Sequence, residues 1–158
     1  MFNPPPVAQQ IETSSAVIVA DPKGFIRVTM KHGATDTLGS AAENVKGVVT
    51  LNHRRKWPLL VDTRPLKGQE KAARDYYSGT FRIGIVSAQA ILVDSILATA
   101  IGNAVLAVSS VMPVKLFRDE LSALAWFKSL EAKAAKGAAC VDCDRGSISD
   151  SSRQFASS

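Results

Sequence analysis

The chain has 158 residues, of which 46% are hydrophobic and 21% are charged, and it carries a formal net charge of +5. This is a globular composition, so a wholly disordered chain is excluded, and the length fits one domain with tails better than two full domains. Two cysteines cannot build a disulfide framework, which favours a reducing compartment, and we expect a cytoplasmic location.

The N-terminal residues predict a flexible segment followed by a β-hairpin. Residues 1–13 are rich in proline and polar residues, show no secretory signal pattern and are predicted to be flexible. Two apolar runs, at 16–20 and 25–30, flank a turn sequence at 21–24. This arrangement is typical of two antiparallel strands joined by a tight turn.

A helix, a buried strand and a second helix follow. Residues 35–37 supply N-cap chemistry for a helix that ends near Asn52. The apolar run at 59–62 is short enough for a buried strand, and the next helix is predicted over 69–78 with Gly79 closing it. Apolar residues at helical spacing predict the buried face of the first helix: Leu38, Ala41, Ala42, Val45 and Val49.

The second half of the chain continues this alternation of strands and helices. A buried strand is predicted within 87–93, a helix over about 94–109 and a strand over 112–117. Asp119 is predicted to cap a last helix, whereas residues 79–87 fit a loop, a helix or a strand equally well. The stripe predicted on the last helix consists of Leu121, Leu124, Ala125 and Lys128.

The element order is therefore β-β-α-β-α-β-α-β-α, which predicts an α/β fold. A leading hairpin followed by βα alternation implies a mixed sheet with helices packed on it. We expect the domain to cover residues 14–131. Residues 132–158 are dominated by alanine, glycine and serine and are predicted to form a disordered tail.

Three stretches resemble a known family. The segment 113–127 begins with a Pro-Val-Lys-Leu-Phe strand and continues through acidic residues to Trp126. It resembles the closing strand and helix of SpoIIAA-like (STAS/SEC14-type) bacterial domains. The run 59–64, with Asp62 near its end, is similar to the family's central strand, and Tyr76 and Tyr77, followed by residues 88–103, are similar to the segment before the closing strand. The resemblance implies a SpoIIAA-like/STAS-type fold, and for this branch no established biochemical activity.

The resemblance also bears on regulation. STAS relatives that act as anti-sigma-factor antagonists are switched by phosphorylation of a serine at the start of the helix after the central strand. Here no serine or threonine lies between Pro65 and Asp75, so no hydroxyl is available for that transfer. We therefore expect a non-enzymatic regulatory or protein-binding module without the phospho-acceptor. The alternative is a carrier or sensor of an apolar or anionic small molecule.

A candidate binding site follows from the central strand. Ligands of open α/β sheets bind beyond the carboxyl ends of the strands, where this chain has several charged residues. The structural alternative is that Asp62 orients the following loop and pairs with Arg64. The candidate binding residues are Asp62, Arg64, Lys67, Lys71 and Arg74.

The positive charge of the chain is local. Residues 54–74 contain seven basic and two acidic side chains, so the whole excess of +5 lies there. Because a strand separates Arg54, Arg55 and Lys56 from the later basic residues, we expect two patches at opposite ends of the sheet. Together with the lack of a recognition motif, this disfavours nucleic-acid binding.

The remaining signals predict no cofactor and no metal site. His32 and His53 lack a second ligand at helical spacing, and no catalytic motif is recognisable. The lone pair Cys140 and Cys143 lies in the predicted tail, and its role stays open. The charge-free stretch 95–114 is interrupted by polar residues, which disfavours a membrane span. A homodimer formed through the last helix and an unknown protein partner both stay open.

Overall fold

Six strands form one mixed β-sheet in the computed structural model of the chain, which describes residues 9–81, 84–95 and 112–143. Their spatial order is β1-β2-β3-β5-β7-β8, so β5 lies in the interior of the sheet. A further pair, β4 and β6, forms a small separate parallel sheet. In chain order the strands are β1 (Gln10–Glu12), β2 (Ala16–Asp21), β3 (Phe25–Met30), β4 (Thr35–Asp36), β5 (Leu59–Asp62), β6 (Gly68–Gln69), β7 (Gln89–Leu92) and β8 (Val114–Phe117).

The predicted hairpin and the α/β fold class are confirmed. Strands β2 and β3 are antiparallel, and the Gly24 amide donates to the Asp21 carbonyl at 2.9 Å across the turn. Gly24 has φ 92°, a backbone conformation that glycine adopts without a steric penalty. Strands β3, β5, β7 and β8 are parallel. The helix predicted over about 94–109 falls outside the described residues from position 96 onward.

Helix α1 (Leu38–Asn52) begins and ends as predicted, with Thr37 as its N-cap. Its predicted buried face is correct at Ala41 and Val45, and Val48 and Leu51 complete it. The prediction is wrong at three positions of the stripe that are exposed: Leu38 and Val49, which are 49% and 47% exposed, and Ala42.

The side of α1 that packs against the sheet explains why Leu38 and Val49 are exposed. A Cβ atom on Gly47 would lie only 2.5 Å from Cδ1 of Ile18 on β2, so the backbone of α1 meets the sheet at Gly47. This close approach favours glycine at position 47, because a Cβ atom there would require the end of the Ile18 side chain to shift. Leu38 and Val49 consequently lie on the outer side of the helix.

Helix α2 (Lys71–Phe81) begins and ends later than predicted. Gln69 is part of β6, where it pairs with Asp36 of β4, so the helix starts only after it. Gly79 does not close the helix. Phe81 is buried and stacks on Tyr77 with a centroid distance of 6.0 Å, and this contact stabilises the three helical residues beyond the predicted end at 78.

Helix α3 (Glu120–Cys143) begins with the predicted cap, since Asp119 Oδ1 accepts from the Ser122 amide at 2.8 Å. The predicted stripe is wrong at Leu121, which is 81% exposed, and at Ala125 and Lys128, which are also exposed. Glu120 bonds to Arg27 of β3, and Ala123, three residues later on α3, is fully buried. Glu120 and Ala123 therefore mark the inward side of α3, and Leu121 lies on a different side.

Helix α3 continues beyond residue 131, where the sequence prediction ends the domain. Its alanine-rich continuation has high helix propensity and carries the backbone helix through Cys140 to Cys143. The chain divides into two compact units, Met1–Ala123 and Leu124–Ser158. The first contains the sheets, α1, α2 and the start of α3. In the second, the described residues form the rest of α3, in which the rings of Trp126 and Phe127 lie 5.6 Å apart.

The core of the first unit lies between α1 and one face of the sheet. Ile18, Ile26 and Leu59 from three strands are fully buried there with Val48 of α1. The helices in the described part of the chain lack the combination of length and apolar character that a membrane crossing requires. The charge-free stretch 95–114 lies mostly outside the described residues.

Candidate functional site

A cavity of about 570 Å³ lies over the face of the sheet that carries α1 and α2. Strands β3, β5, β7 and β8 supply its floor, and both helices supply its walls. Side chains alternate between the two faces of a strand, and Leu59, Val61 and Thr63 therefore share the cavity side of β5. Asp62, between them, points to the opposite face.

The floor of the cavity is a row of apolar side chains across three strands. Val28, Val61 and Ile91 are neighbours in register on β3, β5 and β7. Val61 and Ile91 are only half-buried although they occupy interior strands. Open space rather than packed atoms lies above them. This face of the sheet is therefore covered by packed side chains under α1 and borders the cavity under α2.

One wall of the cavity is polar and centred on Asp36. This carboxylate is fully buried, and its two oxygens accept from Ser40 Oγ at 2.6 Å and from Gln69 Nε2 at 3.0 Å. Asp36 and Gln69 are brought together by the pairing of β4 with β6. A buried carboxylate needs such donors, because desolvation without them is costly. The small sheet thus holds a satisfied polar group against an otherwise apolar space.

Tyr77 and Asn44 continue this polar wall. Asn44 Nδ2 donates to the Tyr77 hydroxyl at 2.9 Å and to Ser15 Oγ at 3.0 Å, and Asn44 Oδ1 accepts from Thr13 at 2.6 Å. Burial raises the pKa of the Tyr77 phenol well above its usual value, and the Asp36 carboxylate adds to the rise, although the bond from Asn44 opposes it. The phenol is therefore neutral at physiological pH.

Arg74 is the cationic side chain among the described residues that line the cavity. It extends from α2, is exposed to solvent, and donates from Nη1 to the backbone carbonyl of Gln69 at 2.8 Å. An exposed side chain that also lines a cavity lies where the cavity meets solvent. Arg74, Tyr77 and Ser78 are three and four residues apart and so share one side of the helix.

The other predicted binding residues lie elsewhere or already have partners. Arg64 donates two side-chain hydrogen bonds to the Asp62 carboxylate, from Nε to Oδ1 at 2.8 Å and from Nη2 to Oδ2 at 2.7 Å. The backbone amide of Arg64 also donates to Oδ1. This confirms the structural alternative for the pair. The hydrogen bond from Arg64 also lowers the pKa of Asp62. Lys71 pairs with Asp75 one turn along α2.

Lys67 completes the predicted set. It is exposed, and its backbone amide donates to the Ala34 carbonyl at 2.9 Å. Its neighbours Leu66 and Gly68 line the cavity, but Lys67 does not. The structure therefore brings one of the five predicted residues, Arg74, to the cavity. Whether the others bind a partner stays a prediction.

A charged cluster occupies the opposite face of the sheet. Arg27 of β3 bonds to both carboxylate oxygens of Glu120, at 2.7 and 2.6 Å, and lies 3.5 Å from Asp21. The hydrogen bond from Arg27 lowers the pKa of Glu120. These contacts tie the first residue of α3 to the sheet. The described residues contain no group of three side chains suited to hold a metal ion.

Comparison with known proteins places the chain in a family. A family model described as a domain of unknown function, DUF7793, matches residues 19–131. The chain belongs to this family. The DUF7793 region extends from β2 into α3 and includes every described residue that lines the cavity. No curated protein matches the chain.

A solved structure with some likeness to this DUF7793 protein comes from Shewanella loihica PV-4. It is described as an uncharacterized protein from the DUF3478 family with a SpoIIAA-like fold, and it shares 17% identity with a TM-score of 0.47. The match covers 76% of this chain and 91% of the other. The DUF7793 domain itself has the mixed α/β architecture, with a six-stranded mixed sheet, that is predicted for a SpoIIAA-like/STAS-type domain.

Sequence reasoning missed most of the cavity wall of the DUF7793 domain. The sequence indicates Asp36 only as part of a helix cap, and the predicted buried face of α1 does not include Asn44. One signal was available, because Asn44 lies between Ala41 and Val48 on the buried face of α1. A buried amide in an apolar face indicates a polar partner. Its partner, Tyr77, could not be identified from spacing, since the contact spans 33 residues.

Proposed function

We propose that this DUF7793 domain is a non-enzymatic module that binds a small, largely apolar molecule in the cavity beside α2. The observation that carries the proposal is the open apolar floor formed by Val28, Val61 and Ile91, closed on one side by satisfied polar groups. A volume of about 570 Å³ is within the range typical of small-molecule sites. Such sites combine an apolar lining with a few fixed polar groups.

The residues of the wall favour binding over catalysis. The described lining residues include no histidine and no cysteine, the side chains most often used as bases and nucleophiles at neutral pH. Tyr77 is held as a neutral phenol, and Asp36 already accepts two hydrogen bonds. These groups orient a ligand and fix the shape of the wall.

The sequence-based hypothesis of a regulatory protein-binding module stays a prediction. Among the described residues, the exposed large apolar side chains are Leu38 and Val49 on α1 and Leu121 on α3. Leu38 and Val49 lie 11 residues apart, which is roughly 16 Å along a helix. Three single side chains cover much less area than a stable protein interface. A carrier or sensor of a small molecule therefore accounts for more of the structure.

Native mass spectrometry of the protein purified from its own host tests the proposal. We expect a non-covalent small molecule on the wild type and its loss in Val61→Phe, which fills the floor of the cavity. Val49→Phe makes the same change on the exposed side of α1 and should retain the molecule. Binding of the neutral fluorescent probe phenylnaphthylamine should follow the same pattern. A wild type that carries no molecule and binds no probe would refute the proposal.

A further inference from the structure

We propose that the ligand of this cavity is an amphiphile with one anionic head group, a carboxylate or a phosphate, which Arg74 binds where the cavity meets solvent. This inference rests on the proposed function and specifies the chemistry of the ligand. It places the apolar body of the ligand over Val28, Val61 and Ile91 and its charge at the start of α2.

The charges of the described lining residues support an anionic head. Only two of these residues are charged, Asp36 and Arg74. Asp36 is fully buried, and each of its carboxylate oxygens accepts a hydrogen bond from the protein. Arg74 is exposed, so it is the charged group that an entering ligand meets first.

The guanidinium of Arg74 has donors that make no hydrogen bond with the described residues, apart from one bond to Gln69. It carries five N–H groups in a planar fork that matches the geometry of carboxylates and phosphates. One of its nitrogens donates to the Gln69 carbonyl, and none of the ion pairs among the described residues involves Arg74. The bond to Gln69 holds the side chain beside the cavity while leaving donors for a ligand.

Two neighbouring cationic side chains differ from Arg74 because each of them is paired with a carboxylate. Arg64 is bound to Asp62 through two hydrogen bonds, and Lys71 is paired with Asp75 within α2. Neither lines the cavity. Arg74 therefore has a position on the cavity wall and no ion-pair partner among the described residues.

The surroundings of Arg74 tolerate a bound anion. Tyr77, one turn further along α2, stays uncharged because burial raises its pKa. Gln69 lies between Arg74 and Asp36, bonding to the first through its backbone carbonyl and to the second through its side-chain amide. The buried carboxylate is thus solvated by protein donors and separated from the head-group position. A neutral ligand would leave the Arg74 donors to water alone.

Competition against phenylnaphthylamine tests the head group. Dodecanoate, dodecyl phosphate and dodecanol each contain an unbranched chain of twelve carbon atoms and differ in the charge of the head group. We expect at least one of the two anions to bind the wild type about 10-fold more tightly than dodecanol, because charge-assisted hydrogen bonds are the stronger kind. Arg74→Gln should abolish that preference and leave dodecanol affinity unchanged. Lys71→Gln, the matched control on the same helix, should retain the preference.

The outcomes separate the two proposals. Equal affinities for dodecanol and both anions, or a preference that survives in Arg74→Gln, would overturn the anionic head while leaving a ligand-binding cavity. A wild type that binds neither the probe nor any of the three amphiphiles would overturn the cavity function and this inference with it. The anion that loses more affinity in Arg74→Gln identifies the head group as carboxylate or phosphate.

Discussion

The two faces of the central sheet use charge in opposite ways. On one face, Arg27 is bound to Glu120 and Asp21, and the Asp62 carboxylate is held by Arg64. On the other face, the open part of the sheet is apolar, and Arg74 stands at its border without an ion-pair partner among the described residues. The first arrangement satisfies its charges internally and serves the fold. The second leaves both space and a charge for something outside the chain.

The largest expected effect on stability comes from truncating Leu92 of β7, and its isomeric neighbour Ile91 provides the comparison. Leu92 is almost fully buried on the charged face, whereas Ile91 is half-buried beside the cavity. We expect Leu92→Ala to lower the free energy of unfolding by about 3 kcal/mol. Ile91→Ala should lower it by only about 1 kcal/mol, because open space already lies over that side chain. Urea denaturation measures both, and equal losses would mean that the two faces are packed alike.

A second prediction contrasts two aspartates. Asp36→Ala removes a buried acceptor and leaves Ser40 and Gln69 without their partner, so we expect a loss of about 2 kcal/mol. Asp62→Ala breaks a partly exposed ion pair and should cost about 0.5 kcal/mol. Thermal and urea unfolding of the two variants provide the comparison. A larger loss for Asp62→Ala would contradict the structural role given to Asp36.

The charged face also predicts a response to acid. Hydrogen bonds from Arg27 and Arg64 lower the pKa values of Glu120 and Asp62 below their ordinary values of 4.5 and 3.8. Each carboxylate therefore contributes stability that is complete above its unfolded pKa and disappears as the pH falls through its folded pKa. Because both groups are partly exposed, we expect less than about 1 kcal/mol from each.

Unfolding curves measured from neutral pH down to about pH 3, below the ordinary pKa range of carboxylates, test this expectation. Glu120→Gln should flatten the loss of stability at acid pH. Glu131→Gln, an exposed control further along α3, should follow the wild type. Identical acid profiles for Glu120→Gln and the wild type would remove Glu120 from the stabilising cluster.

The smallest expected effect on stability belongs to Arg74→Gln. The side chain is exposed and makes one hydrogen bond to the Gln69 carbonyl, so the unfolding free energy should change by less than about 0.5 kcal/mol. The same substitution should nevertheless change anion affinity. Calorimetry of the ligand-free variant checks the first statement, and a loss comparable to that of Asp36→Ala would assign Arg74 to the fold instead.

The sequence predicts most strands and helices of the described residues, but it does not predict β1, β4 and β6 or the orientation of the helices. Turn residues at 21–24 and the cap at Asp119 act locally, and both features are confirmed. The outward position of Leu38, in contrast, depends on the close approach of Gly47 to Ile18. Helical spacing alone cannot detect such a contact between distant segments.

The cavity was harder to predict for a similar reason. Valine and isoleucine occur in any buried strand, so residues 61 and 91 give no signal of a cavity. Only the placement of α2 reveals that space lies over Val61 and Ile91. Asp36 and Gln69 meet through a two-residue strand pairing that carries almost no sequence signal. The charge of Arg74 makes it a candidate from the sequence, and the geometry separates it from Asp62 and Arg64.

The most direct test of the binding face is a methyl NMR measurement with bound dodecanoate. We predict nuclear Overhauser contacts from the alkyl chain to the methyl groups of Val61 and Ile91, and none to those of Leu60 and Leu92. These residues alternate along β5 and β7 and so report the two faces separately. Contacts to Leu60 and Leu92, or no contact to any of the four, would contradict the assignment of the cavity as the ligand site.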